Sequence, residues 1–160
     1  MTEVAQVCEP LWLFAPWMDV ALQEFGEREI PGPKDNARIQ LYYEVSVGKW
    51  AAELHDEVAW CSAFAGFSMI RAGYTSTRSL KARSWLNYGV PQDGPRLGSL
   101  LVFWRGSPDG DEGHVAFEIG ATPTHHLCLG GNQNNMVTIK PYPRERLLGR
   151  RWPTKRLLVA

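Results

Sequence analysis

The chain has 160 residues, 44% of them hydrophobic, which suits one core and predicts a single domain over residues 1–160. Its 17 basic residues match its 17 acidic ones, so no strong field directs it to nucleic acid or to an anionic membrane surface. The early apolar run Leu11 to Trp17 is interrupted by Pro16 and falls well short of the ~20 residues a bilayer crossing needs. The first residues carry Glu3 and no Lys or Arg before Cys8, unlike the basic start of a secretory signal, so synthesis in the cytoplasm without a signal peptide is expected.

Helical spacing of Trp17, Val20, Ala21 and Phe25 predicts a short amphipathic helix from Trp17 to Phe25, closed by Gly26. Pro31 to Asn36 reads as a turn, after which Ile39, Tyr42 and Tyr43 resume a helical pattern. Between Trp60 and Gly73 an apolar stripe of Ala63, Phe64, Phe67 and Ile70 predicts a central helix starting close to Cys61. Ser79 to Tyr88 predicts another short helix, ended by Gly89 and Pro91. From Gly98 onward the texture changes to short runs at Ser99 to Trp104, His114 to Ile119, His125 to Leu129 and Met136 to Lys140, separated by turn residues. Helices first and an antiparallel sheet afterwards imply an α+β domain with the helices on one face of the sheet.

Three cysteines, Cys8, Cys61 and Cys128, leave at least one free thiol, and none stands in a Cys-x-x-Cys pair. Cys61 lies at the predicted start of the central helix, where unpaired N–H groups and the helix dipole favour a thiolate. A lone helical cysteine is otherwise a small core residue. A thiolate nucleophile needs a base, and His114, opening a strand after Gly113, is better placed than His55, His125 or His126. Asn132, in Gly130-Gly131-Asn132-Gln133, could orient the imidazole, although the same residues make an ordinary hairpin turn. Trp60, Trp85 and Trp104 could line a groove or fill the core. The run Asp109 to Glu112 begins like an EF-hand loop, but position twelve is Gly120, so it reads as a solvated loop.

Trp60-Cys61-Ser62-Ala63-Phe64, Ala82-Arg83-Ser84-Trp85-Leu86, Gly113-His114-Val115, Gly130-Gly131-Asn132-Gln133 and Arg151-Trp152-Pro153 together resemble a family of small bacterial and phage proteins similar to the CHAP and NlpC-type cell-wall hydrolases. Glu29-Ile30-Pro31-Gly32, Asn36 and Ile39 resemble its upstream pattern, so the likeness runs from Trp17 to Pro153. The resemblance implies a papain-like fold with Cys61 as nucleophile, His114 as base and Asn132 as the matching orienting residue. Substrate contacts from Trp60, Trp85 and Gln133 are expected, and the thiol mechanism requires no metal or organic cofactor. It implies cleavage of amide bonds in peptidoglycan stem peptides or between stem peptide and glycan. Related enzymes carry a Glu before the asparagine where this chain has Gly130.

Two other functions fit the same residues: a non-catalytic module that binds cell wall, and a thiol protease acting on protein. Because peptidoglycan lies outside the cytoplasm, delivery by phage lysis or by a secretion machine is expected. In the second case a cognate immunity protein is an expected partner.

Overall fold

The computed structural model describes residues 14–154, 156 and 157. Cys8 lies outside the described residues. The first helix, α1 (Pro16–Gln23), starts on a proline whose fixed φ suits the first helical position, and it buries Trp17, Met18 and Ala21. Asn36 caps α2 (Ala37–Ser46) by accepting from the Arg38 N–H at 2.8 Å, and Ile39, Tyr42, Tyr43 and Ser46 form its buried stripe. A 3-10 turn at Lys49–Glu53 follows. The central helix α3 (Cys61–Arg71) is buried at every position from Cys61 to Met69. Its serines are therefore satisfied internally: Ser62 Oγ donates to Ser79 O at 2.6 Å and Ser68 Oγ to Phe64 O at 3.0 Å. The predicted helix over Ser79 to Tyr88 is a shorter 3-10 segment, Ala82–Asn87.

Six strands complete an α+β architecture: β1 (Val90–Pro91), β2 (Leu100–Trp104), β3 (Gly113–Ala121), β4 (His125–Gly130), β5 (Thr138–Pro143) and β6 (Leu147–Trp152). They form one antiparallel sheet in the order β1-β6-β2-β3-β4-β5. The chain returns through the 3-10 turn Arg144–Arg146 to insert β6 between β1 and β2. On one face Leu100, Val102, Val115, Phe117 and Leu129 pack with the three helices. On the other, Leu101, Phe103, Ala116, Cys128 and Tyr142 form a second, smaller apolar cluster. Both faces of the central strands are thus buried, which accounts for their nearly continuous apolar sequences. Among the described residues, no helix is long and apolar enough to cross a membrane.

One irregularity positions the site. β4 pairs with β3 only between Phe117 and Ala121, and beyond Gly130 the chain turns through Gly131-Asn132-Gln133. The first residues of β3, Gly113 to Ala116, pair with β2 but have no β4 partner. The start of α3 approaches β3 at this gap, where the N–H of Val115 faces the Cys61 sulfur.

Candidate active site

Cys61 is the first residue of α3, and Trp60 before it offers no side-chain cap. The leading N–H groups of the helix are therefore free, and those of Cys61 and Ser62, together with the N–H of Val115, act on the sulfur. Val115 follows His114 directly, so the strand that presents the imidazole also touches the thiol. Sequence reasoning expected the helix start to favour a thiolate. Burial wins instead: it pushes the Cys61 thiol above its ordinary pKa, against the lowering influence of the three N–H groups and the Arg105 charge. The resting residue is a neutral thiol, 4% exposed.

His114 is fully buried and shares the sheet face of Ala116. Its ring stacks on Tyr142 at 4.8 Å and 22°, and Tyr142 in turn stacks on Phe103, so the imidazole plane is fixed by aromatic packing. His114 Nε2 lies 3.0 Å from Gln133 Oε1, and His114 Nδ1 lies 3.3 Å from Arg105 Nη2. The Gln133 amide orientation is set independently, because its Nε2 donates to Cys128 O at 3.3 Å and Thr138 O at 2.5 Å. Its oxygen must then accept, which assigns the imidazole proton to Nε2 and leaves the Nδ1 lone pair as the ring's acceptor. Burial and the Arg105 charge lower the His114 pKa to about 3, with Lys140 adding a smaller push and Gln133 opposing them.

The residue that holds the histidine is therefore Gln133, and the expected role of Asn132 is corrected. Asn132 has a φ of 55°, and its amide faces Trp60 and Glu29. With its oxygen toward the Trp60 N–H and its nitrogen toward Glu29 Oε1, both at 3.3 Å, the amide fastens the residue before Cys61. Glu29 Oε1 also accepts from Trp60 Nε1 at 2.8 Å. The two glycines of the motif have steric reasons. A Cβ on Gly130 would stand 2.7 Å from Gln133 Oε1, and one on Gly131 would stand 2.6 Å from Phe64 Cβ. The glycine pair lets the turn press against α3 while Gln133 reaches the imidazole.

The expected substrate contacts are corrected as well. Trp60 and Trp85 are wholly buried, with Trp85 Nε1 donating to Ser62 Oγ at 2.8 Å, so both are core residues. Gln133 is 1% exposed, and its polar atoms are spent on His114 and two carbonyls. Trp104 donates to Glu145 O at 3.2 Å and lies under Arg146. A cleft of about 280 Å³ opens on Cys61 and is lined chiefly by Lys81, Ala82, Arg105, Glu112 and Gly113. Its rim is held by Arg83, whose guanidinium donates to the carbonyls of Glu112, Ser107 and Pro108 at 2.8–2.9 Å. These carbonyls lie in the Asp109 loop, where a guanidinium already supplies the positive charge. Among the described residues, no group of three or more His, Cys, Asp or Glu side chains could hold a metal ion.

The other histidines take no part. His55 is exposed beside Asp35, His125 bonds Thr124, and His126 lies 3.4 Å from Glu118 in the second cluster. Arg105 and Tyr142 escaped sequence reasoning, because neither belongs to a motif. The signal for Arg105 was a basic residue directly after a strand whose hairpin partner carries the histidine. No family model and no curated protein matches the chain.

Proposed function

We propose that this chain is a papain-like cysteine amidohydrolase or peptidase that cleaves amide bonds of peptidoglycan stem peptides. The observation that carries this reading is the convergence on Cys61. Its sulfur lies at an uncapped helix start against the N–H of Val115, the residue that follows His114 in β3, and His114 Nε2 lies 3.0 Å from Gln133 Oε1.

The chemistry runs from a neutral pair. The Cys61 sulfur attacks the amide carbonyl carbon as its proton passes to His114 Nδ1, and the oxyanion takes hydrogen bonds from the free N–H groups at the start of α3. His114 then returns the proton to the nitrogen, the C–N bond breaks, and the amine leaves a thioester on Cys61. Water attacks that thioester with its proton taken by His114, releasing a carboxylic acid and restoring the thiol. Gln133 holds the tautomer throughout, and Tyr142 holds the ring plane. Wall outside the cytoplasm is reached with help from another system, a phage lysis apparatus or a secretion machine.

The test is digestion of purified peptidoglycan, with mass spectrometry of the released fragments. Wild type releases stem-peptide fragments and Cys61→Ala does not, while both keep the same circular dichroism. Wall binding by wild type without fragment release would replace the enzyme with a binding module.

A further inference from the structure

Arg105 stands out among the residues lining the cleft. Among the described residues it has no carboxylate within 4 Å, although Asp111 and Glu112 line the same cleft. Arg105 is exposed, and its guanidinium lies 3.3 Å from the imidazole nitrogen that the proposed reaction needs free while also acting on the Tyr142 hydroxyl. A guanidinium donating to a neutral imidazole makes one hydrogen bond to an uncharged acceptor, whereas a guanidinium facing a carboxylate can make two between opposite charges. A carboxylate entering the cleft would therefore outcompete His114 for Arg105. Lys81 on the cleft wall adds a second positive charge, set against Asp111 and Glu112 on the same lining, so it is the geometry of Arg105 and not the net charge of the cleft that selects the ligand.

We infer that Arg105 is both the specificity residue and the latch of this site. It binds a free carboxylate on the acyl portion of the substrate, and in doing so leaves His114 Nδ1 free to accept the Cys61 proton. The preferred substrates are then acidic peptides, with neutral amides of the same length poorer. This rests on the cysteine-hydrolase reading and adds to it a substrate charge and an order of events, binding before base release. Peptidoglycan stem peptides, which carry free carboxylates, meet the requirement.

Three measurements separate the claims, using wild type, Arg105→Gln and Arg105→Lys. The first is the ratio of Cys61 alkylation rates by iodoacetate and iodoacetamide, read by peptide mass spectrometry. It should fall about tenfold in Arg105→Gln and less in Arg105→Lys, as loss of a charge-assisted pair implies. An unchanged ratio in both variants would overturn the carboxylate site, whether or not the protein is an enzyme. The second is the kcat/KM preference for a peptide with Glu on the acyl side of the scissile amide over its Gln counterpart. That preference should shrink in both variants; cleavage with an unchanged preference overturns this inference alone, and no cleavage of wall or peptide by wild type overturns the hydrolase reading. The third is the 15N resonance of His114 Nδ1 in Cys61→Ala titrated with the α-amide of N-acetylglutamate. It should move, and should stay still with the glutamine analogue; no response to either contradicts the latch.

Discussion

Gln133→Ala is the substitution on which the assignment of the third site residue turns. It leaves the buried His114 Nε2–H without its acceptor at 3.0 Å and removes the donors to Cys128 O and Thr138 O. An orphaned buried polar group costs about 1–3 kcal/mol, and the carbonyls retain some alternatives, so a total of roughly 3 kcal/mol is reasonable. For a chain of this size that lowers the melting temperature by about 6–12 °C. The catalytic effect is separate. With Nε2 unpaired, the proton is no longer confined to the nitrogen that leaves Nδ1 basic, and losing roughly 1.4–2.8 kcal/mol of that orientation slows kcat about ten- to a hundredfold. Asn132→Gly is the control. It keeps the left-handed backbone, deletes the amide that fastens Trp60, and should cost stability with a smaller loss of kcat. Thermal melts and stem-peptide turnover below the melting range read the two effects independently. Wild-type turnover in Gln133→Ala together with inactive, folded Asn132→Gly would return the role to Asn132.

Three further perturbations probe the frame around the site. Burial holds His114 neutral, with its pKa lowered from 6.5 to about 3. The unfolded chain therefore takes up a proton within that window that the folded chain refuses, and stability falls with decreasing pH by up to about 1.4 kcal/mol per unit. His114→Asn should flatten the urea-measured stability slope between pH 6 and pH 4 by about one proton; an unchanged slope would mean the imidazole is not buried neutral. Gly131→Ala places a Cβ 2.6 Å from Phe64 Cβ and 2.7 Å from Trp60 Cζ3, and should cost roughly 1–3 kcal/mol of overpacking by urea midpoint. A wild-type midpoint would show that the turn can withdraw from α3. Glu118→Gln leaves Arg150, paired at 2.8 and 3.0 Å, uncompensated in the second cluster, and should destabilise by about 3–5 kcal/mol without altering Cys61 alkylation. A parallel loss of Cys61 reactivity would tie the far face of the sheet to the site.

Much of the frame was legible in the sequence because its signals are local. The stripe from Ala63 to Ile70 marked α3, and the glycine before His114 marked the start of β3. β6 went unread because its charged residues fold inward: Arg150 pairs with the buried Glu118, and Arg151 donates to Tyr88 O and Gly89 O. Its residues are all half-buried, so no alternation shows. Trp60 and Trp85 looked available for substrate because composition cannot distinguish a core tryptophan from a groove tryptophan; only the packing does. The exchange of Asn132 for Gln133 has a geometric cause. A residue with φ of 55° reverses the chain, so the side chain that reaches back over the sheet is the next one along. The thiol was misjudged because the helix start is read from local sequence, whereas the burial that outweighs it comes from the folded packing around Cys61.

Interception of the acyl-enzyme tests the central claim most directly. If Cys61 forms a thioester that water later cleaves, hydroxylamine added during digestion of cell-wall peptides should divert part of the acyl product to a hydroxamate, identified by mass spectrometry. Cys61→Ala should give neither hydroxamate nor acid. Release of the acid alone by wild type at every hydroxylamine concentration, or wild-type release by Cys61→Ala, would contradict a reaction through the Cys61 thioester.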